Sequence, residues 1–369
     1  MTKILHITTW YPNELDPQLG IFIQKHICEG HSFAENVVIA IIASEELREP
    51  KFKLKETKGV KEIIGYYPVR KGKKWSNFKN YNHILTKIFQ HFLTLEFKPD
   101  FIHCHVADKS LKIAHKFFSD TPTLLTEHWS GYLDGRYDSL SNRKKKERLK
   151  LTNNCIKVTC VSQHLKTALL ASGITTPITI IPNVISNHSV KDTQNENLKF
   201  LVVADLVDNV KNISGIITAF TEFLEDNPEL SLTIIGDGID RKRLESQVEN
   251  TSSITFEGRY NNEEVLKALP QYDCLLVNSH FETFSMITAE ALLSGVPVIS
   301  SKCGGPEQFI EHGVNGYLIN KNNKEDLLKH LILFKSNHQR FNPNTIHLNA
   351  KKQLSLVGIK KQFLNLYQT

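Results

Sequence analysis

Short apolar runs alternate along the chain with longer segments in which apolar residues recur every three or four positions. The short runs predict buried strands, and the longer segments predict helices that bury one face. In the first half of the chain, strands are predicted at 4–8, 37–43, 63–68, 100–105, 123–126 and 156–162. Amphipathic segments follow most of these strands, as helices do in a parallel sheet.

The second half repeats this alternation, with strands predicted at 200–204, 232–236, 254–258, 273–278, 296–299 and 316–319. A polar stretch at 190–199 separates the halves and is typical of a linker. We therefore predict an α/β protein with two parallel-sheet domains, at 1–189 and 198–342. A last helix, predicted over 350–367, has a broad apolar face.

The composition is that of a globular protein: of 369 residues, 40% are hydrophobic and 23% are charged. Its apolar runs fall short of the roughly 20 residues that span a bilayer, and its first residues do not resemble a signal peptide. The six cysteines include no Cys-x-x-Cys pair, and most lie in or beside strand-like runs where reduced thiols are expected. We predict a cytoplasmic, soluble protein.

The charges are unevenly distributed. Residues 1–190 hold 27 Lys and Arg against 17 Asp and Glu, whereas residues 191–369 hold 18 against 22. The basic half has either a solvated face or an anionic partner, such as a phosphorylated acceptor or the inner face of the plasma membrane. The basic cluster at 70–74 beside Trp75 is a candidate for peripheral membrane contact. Because this cluster is short and no nucleic-acid module is recognised, we expect no nucleic-acid partner.

The stretch from Phe281 to Glu307 has the highest concentration of chemically informative residues. Seven residues separate Glu282 from Glu290; they begin with Thr-Phe-Ser and continue as a predicted helix. A spacing of eight positions is a little over two helical turns, so the carboxylates can address one end and one side of that helix. A buried-strand pattern and a Gly-Gly-Pro-Glu loop at 304–307 follow.

This order of motifs resembles the donor-site signature of retaining glycosyltransferases of group 1, or family 4. The shared elements are Glu-x7-Glu, Ala-Leu-x-Ser-Gly-x-Pro-Val-Ile, Gly-Gly-x-x-Glu and His-Gly-x-Asn-Gly. The resemblance implies the GT-B fold, with two Rossmann-like domains facing across a cleft and a C-terminal helix, within 350–369, crossing back to the first domain. It also implies a nucleotide diphosphate sugar as donor.

The same resemblance implies a set of site residues. The donor-binding residues would be Gly20, Lys211, Glu282, Thr283, Phe284, Ser285 and Glu290. In this scheme Lys211 and the helix N-terminus at 284–285 hold the diphosphate, and Glu282 and Glu290 accept hydrogen bonds from the sugar and the ribose. For Gly20, an ordinary tight turn is the alternative to phosphate contact.

His128 follows a predicted strand, at the edge of the sheet where α/β proteins bind ligands. The resembled family places a histidine there, facing the donor sugar near the reacting carbon. His128 and Glu282 are therefore the predicted catalytic residues. The alternative for His128 is a structural hydrogen-bonding role.

Two observations concern cations. Asp205 stands where the family usually has a diphosphate-binding arginine, and an anion there should weaken donor binding. No Asp-x-Asp motif occurs, so we expect neither a metal nor another cofactor. His103 and His105 point to one face of a strand, but no carboxylate or cysteine lies at a suitable spacing for a metal site.

The resulting hypothesis is a metal-independent, retaining hexosyltransferase that acts on a glycan or lipid-linked acceptor. Bacterial cell-surface polysaccharide synthesis (capsule, lipopolysaccharide or exopolysaccharide) is the expected context. A non-catalytic GT-B scaffold or partner subunit is the alternative, because Asp205 and the single glycine of the first loop depart from the family pattern. A nucleotide-sugar epimerase is disfavoured because no paired acid and base are evident.

Overall fold

The computed structural model describes residues 1–185, 189–192, 197–248 and 251–368. The chain forms two compact units, Met1–Val184 with Leu356–Thr369, and Ile185–Ser355. Residues 193–196 of the predicted linker lie outside the described residues, as do residues 186–188 at the end of the predicted first domain. Within the described part of the chain, no helix is long and apolar enough to cross a membrane.

The first unit contains eight strands and five helices before residue 185. The strands are β1 Lys3–Thr8, β2 Glu35–Ser44, β3 Lys51–Thr57, β4 Val60–Pro68, β5 Phe101–His105, β6 Thr123–Glu127, β7 Lys157–Cys160 and β8 Ile178–Ile180. The helices are α1 Ile21–Lys25, α2 Lys74–Thr94, α3 Lys109–Phe117, α4 Asn142–Asn153 and α5 Gln163–Ala171. A π-helical turn, His26–Gly30, continues α1.

These strands form one sheet with the order β3-β4-β2-β1-β5-β6-β7-β8. Neighbouring strands pair in parallel except β3 and β4, which are antiparallel. Strand β3 was not predicted. It alternates lysines with the partly exposed Phe52 and Leu54, and lysine is common on edge strands because it discourages pairing with other chains. A strand that buries so little gives only a weak hydrophobic signal.

The second unit is a six-stranded sheet with the order β11-β10-β9-β12-β13-β14, all of its neighbouring strands parallel. Its strands are β9 Lys199–Val203, β10 Ser231–Ile235, β11 Ile254–Gly258, β12 Cys274–Val277, β13 Val298–Ser301 and β14 Gly316–Ile319. Its helices are α6 Asp208–Lys211, α7 Ile213–Glu225, α8 Arg241–Glu245, α9 Asn262–Ala268, α10 Met286–Leu293, α11 Lys324–Asn337 and α12 Pro343–Leu354.

The sequence predicts one terminal helix over 350–367, but the structure has two. Helix α12 ends at Leu354, because Ser355 is extended with φ −64° and ψ 130°, and α13 then runs over Leu356–Leu366. Helix α13 belongs to the first unit, where Phe363 is buried in an apolar cluster with Ile4. The chain thus returns to the first unit only after residue 355.

Candidate functional site

In the second unit, Glu282 lies in the segment that follows β12. Its backbone is fixed on both sides, because Glu282 N–H donates to Cys303 O at 2.8 Å and Gly305 N–H donates to Glu282 O at 2.9 Å. Its Oε1 accepts a hydrogen bond from Ser279 Oγ at 2.9 Å and lies 2.6 Å from Lys211 Nζ. The structure therefore brings together two of the predicted site residues, Lys211 and Glu282, as a partly buried ion pair.

The pair keeps Lys211 charged. Burial acts to lower the pKa of Lys211, but the neighbouring carboxylates of Glu282 and Asp205 outweigh this effect and raise the pKa above its usual value. Lys211 is the last residue of α6, and it is followed by Asn212, which adopts a left-handed conformation with φ 48°. A fixed positive charge thus lies beside the carboxylate at the end of β12.

Residues 283–285 of the predicted site differ in their surroundings. The Phe284 side chain is buried against Phe309, with ring centroids 4.9 Å apart, so it packs in the core. Ser285 precedes α10 in a left-handed conformation, φ 64°, and its Oγ lies 2.8 Å from Thr288 Oγ1. Thr283 is partly exposed. A residue other than glycine held at positive φ is strained, and such strain often occurs at functional sites.

Gly305 explains how the Gly-Gly-Pro-Glu loop supports this segment. A Cβ atom at Gly305 would lie 2.6 Å from the carbonyl carbon of Phe284, which is closer than real Cβ contacts come. The loop therefore packs directly on the backbone of residues 282–284, and only glycine permits that approach.

Glu290 lies on α10 and is almost fully buried. Its Oε1 accepts a hydrogen bond from Asn262 Nδ2 at 2.9 Å. Asn262 is the first residue of α9, directly after the loop that follows β11. Sequence reasoning did not identify Asn262. Asparagines are common near capping boxes, so no sequence signal distinguished this one.

Asp205 occupies the position where the family pattern predicts an arginine. Its carboxylate is 72% exposed, and its Oδ1 lies 3.4 Å from Arg259 Nη2 in the loop after β11. Sequence reasoning assigned Arg259 no role. The structure thus supplies a cation beside Asp205 from the loop that follows β11.

In the first unit, His128 directly follows β6. Its ring is buried, and burial lowers its pKa to about 3, so the imidazole is neutral near pH 7. The ring lies 4.8 Å from Phe22 and 5.4 Å from His26, measured between centroids. The turn that carries His128 is fixed by the buried Glu127, whose carboxylate accepts backbone N–H bonds from Ala107, His128 and Trp129 at 2.9–3.0 Å.

Gly20 precedes α1 with φ 64°. A Cβ atom there would lie 2.5 Å from Trp10 O, so the close approach of two backbone segments requires glycine. This contact accounts for Gly20 without a ligand, and it corresponds to the tight-turn alternative. Phosphate contact by Gly20 stays a prediction.

The pair His103 and His105 has a third neighbour that sequence reasoning did not find. Candidate metal-ligating atoms of His6, His103 and His105 all lie within 4.8 Å of one another, and all three rings are buried. Five of their six ring nitrogens have hydrogen-bonding neighbours: for example, His6 Nδ1 lies 3.2 Å from His105 Nε2, and His103 Nε2 lies 2.6 Å from Thr126 Oγ1. His105 Nδ1 has none among the described residues. These contacts describe a network of neutral imidazoles, which a bound metal would have to displace.

A cavity of about 360 Å³ opens at the carboxyl ends of β1, β5 and β6 in the first unit. Its wall includes Trp10, Trp129 and Arg148, and the Arg148 guanidinium lies 4.4 Å from the Trp129 ring centroid. In the described part of the chain, Arg148 Nη1 makes no hydrogen bond, and it is 3.8 Å from Glu127. Val106, also in the wall, has the strained φ of 65°. The cavity is therefore lined by aromatic rings and by the guanidinium group of Arg148.

Two family models together match most of the chain. Residues 185–353 match the family described as Glycosyl transferases group 1, and residues 36–187 match the family described as Glycosyltransferase Family 4.

The curated relatives match over part of their length. A poly(glycerol-phosphate) alpha-glucosyltransferase of Bacillus subtilis is 27% identical over 201 residues, which are 51% of this chain and 29% of that protein. An alpha-monoglucosyldiacylglycerol synthase of Acholeplasma laidlawii is 32% identical over 161 residues, which are 43% of this chain and 38% of that protein. The chain thus spans well under two thirds of these relatives.

A solved structure matches along the whole chain. The Anabaena protein HepE, in complex with UDP and glucose, superposes with a TM-score of 0.75 over 100% of both chains, at 16% identity. At that identity the likeness concerns the fold alone.

Proposed function

This chain belongs to the group 1 glycosyl transferases and has the GT-B fold, and on that premise we propose that it is a retaining hexosyltransferase. The donor in this proposal is a nucleotide diphosphate sugar, and the acceptor is a glycan or a lipid-linked glycan of the bacterial cell surface. The observation that supports it most is the Lys211–Glu282 pair, with Nζ and Oε1 2.6 Å apart, beside the first turn of α10.

The proposed reaction uses charges held in place before the donor arrives. The acceptor hydroxyl attacks the anomeric carbon as the bond to the diphosphate breaks, and the hydroxyl proton passes to a diphosphate oxygen. Lys211 and the backbone N–H groups at the start of α10 stabilise the negative charge that develops on the leaving diphosphate. Glu282 accepts hydrogen bonds from sugar hydroxyls, and Glu290 accepts them from the ribose. No metal is required in this scheme.

The deciding experiment is a hydrolysis and transfer screen with UDP- and GDP-sugars. We expect one donor to be turned over, and the variants Lys211→Ala and Glu290→Ala each to lower that turnover at least tenfold. Lys335→Ala is the matched control: it removes an exposed lysine that pairs with Glu229 at 2.9 Å, next to the amino-terminal end of β10. Unchanged turnover in both site variants contradicts the proposal. Product NMR tests retention, and activity in EDTA tests metal independence.

A non-catalytic scaffold is the second candidate, and Asp205 is the observation in its favour because it places an anion beside Lys211. Calorimetry with UDP and GDP separates the two functions. A hexosyltransferase binds one of these nucleotides, whereas a scaffold binds neither.

For the acceptor, we propose the cavity of the first unit. Trp10 and Trp129 offer flat faces for a sugar ring, and Arg148 offers a hydrogen-bond donor. The names of the two relatives, which refer to a poly(glycerol-phosphate) and to a glycolipid, support a polymer or lipid-linked acceptor. Trp129→Ala should raise the acceptor KM while leaving donor hydrolysis unchanged; an unchanged acceptor KM argues against this location.

We also propose peripheral contact with an anionic membrane at the cytoplasmic face, through the start of α2. Trp75 and Phe78 are 82% and 61% exposed there, and the neighbouring lysines are exposed as well. Arg70, by contrast, donates to Glu45 O and Leu47 O at 2.5 and 2.6 Å and is not free for headgroups. Co-sedimentation with anionic vesicles at low salt should fall in Trp75→Ser/Phe78→Ser; equal binding to neutral vesicles contradicts this contact.

A further inference from the structure

The ionised groups around Lys211 form two neighbouring pairs. Lys211 pairs with Glu282 at 2.6 Å, and Arg259 pairs with Asp205 at 3.4 Å. Asp205 also raises the pKa of Lys211, after Glu282, so the two pairs share one electrostatic environment. The formal charges of these four side chains cancel. Among these four side chains, a diphosphate therefore finds an unpaired cation only if one of the pairs opens.

The two pairs differ in how firmly they are held. In the Lys211–Glu282 pair the side chains are only 24% and 15% exposed, and Ser279 adds a hydrogen bond to the carboxylate. In the Arg259–Asp205 pair the side chains are 53% and 72% exposed. Ion pairs that are so exposed contribute little to stability, because water competes for both partners. Of the two, the Arg259–Asp205 pair is the one that a ligand can open at little cost.

The chain path places Arg259 beside the nucleotide position of the proposed function. Arg259 lies in the loop that follows β11, three residues before Asn262, and Asn262 Nδ2 donates to Glu290 Oε1 at 2.9 Å. Strand β10 lies between β11 and β9, so the Arg259 side chain reaches past the end of one strand to meet Asp205. A diphosphate that links a ribose at Glu290 to a sugar at Glu282 has to lie close to Arg259 and Asp205.

Guanidinium chemistry suits that ligand. Arginine presents parallel N–H donors in a planar fork that matches two phosphate oxygens, and such charge-assisted bonds are stronger than neutral ones. A carboxylate at 3.4 Å is a loose partner for this group by comparison with the hydrogen-bond distances of 2.7–2.9 Å typical of charged pairs.

We propose that Arg259 binds the diphosphate of the donor, and that Asp205 is its counter-ion in the ligand-free protein. When the nucleotide enters, Arg259 exchanges the Asp205 carboxylate for phosphate oxygens, while Lys211 remains paired with Glu282. Asp205 thus lowers affinity by competing for Arg259. This inference rests on the proposed function, since it assigns a residue to the same donor site.

Calorimetry with UDP, GDP and the corresponding monophosphates tests the exchange. Arg259→Ala should weaken binding of the preferred diphosphate at least tenfold, Arg259→Lys should weaken it less, and Asp205→Asn should strengthen it two- to fivefold. The loss in Arg259→Ala should be smaller for the monophosphate. Lys335→Ala removes a lysine, 37% exposed, from its surface pair with Glu229 and should bind like wild type. Matching thermal melts confirm that the variants are folded.

The outcomes separate this inference from the proposed function. Wild-type affinity in Arg259→Ala, together with lost affinity in Lys211→Ala, overturns the role of Arg259 and leaves the glycosyltransferase proposal intact. Weaker binding in Asp205→Asn also overturns the counter-ion role. If the wild-type protein binds neither UDP nor GDP, both the proposed function and this inference fail.

Discussion

In the first unit, buried, uncharged imidazoles lie along the central strands β1 and β5, whereas in the second unit ionised side chains meet beyond the carboxyl ends of β9 and β12. His6, His103 and His105 are fully buried, and burial is the main reason that the pKa of each is held well below its usual value. Lys211 and Glu282 in the second unit are paired and charged. Two sheets built mainly of parallel strands therefore carry different chemistry, with neutral rings within the first sheet and an ion pair beyond the strand ends of the second.

Different forces position the histidines of the first unit and the charged groups of the second unit. The histidines are placed by packing and by neutral hydrogen bonds, such as the one that links His6 to Asn36 at 3.0 Å. The charged groups are placed by backbone geometry, through the 282–305 contacts, and by ion pairs. The histidine cluster of the first unit should consequently be sensitive to acid, and the charged groups of the second unit to steric changes and to salt.

The largest expected effect is acid destabilisation of the first unit. Buried histidines with a lowered folded-state pKa stay neutral while the unfolded chain takes up protons, so stability is present above about pH 6.5 and is lost as the pH falls below it. The pKa of His31 is lowered to about 4, so this residue alone should remove about 2 kcal/mol between pH 6.5 and 5. Trp10, Trp75 and Trp129 are the three tryptophans, and all lie in this unit.

Tryptophan fluorescence therefore follows the first unit, and circular dichroism follows both. We expect the fluorescence transition at a higher pH than the main dichroism transition. His128→Leu, which removes one buried imidazole, should shift the fluorescence midpoint to lower pH, whereas His83→Leu, at an exposed site, should not. Coincident transitions, or the reverse order, would count against the comparison.

A smaller effect is expected from crowding the backbone of residues 282–284. Gly305→Ala places a methyl group where Phe284 backbone atoms lie, so residues 282–284 must shift and the Lys211–Glu282 pair must loosen. We expect about a tenfold rise in donor KM, since misplacing positioned groups by about 1 Å has large kinetic costs. Gly313→Ala is the control: its φ of 81° makes alanine strained, but no neighbouring atom lies within 4 Å. Equal donor KM values in Gly305→Ala and Gly313→Ala would contradict the steric explanation.

The smallest effect concerns the support of Glu290. Asn262→Ala removes the 2.9 Å hydrogen bond to its carboxylate without changing any charge, so nucleotide affinity should fall about three- to fivefold. Calorimetry with the preferred diphosphate measures this change. Asn261→Ala, which removes the α9 cap at the neighbouring position, controls for loss of the helix start. If both variants lose affinity equally, the helix start matters and the bond to Glu290 does not.

The sequence predicted the parallel strands well, because β1, β5 and β12 are apolar runs that are buried on both faces. It missed β3, whose alternating lysines bury little, and the break at Ser355, where the apolar pattern continues through two helices. The candidate site was predicted as separate residues. Lys211 and Glu282 are 71 positions apart, and nothing in their local patterns required Nζ and Oε1 to meet.

What the sequence determined by itself is therefore local: the period of its apolar residues fixed the elements, and the order of motifs from Glu282 to Glu307 indicated the family. What only the tertiary structure decided is which distant groups share an environment. It added His6 to His103 and His105, paired Arg259 with Asp205, and set Asn262 against Glu290. The physical reason is that pairing across a sheet depends on strand order and register, which no single segment encodes.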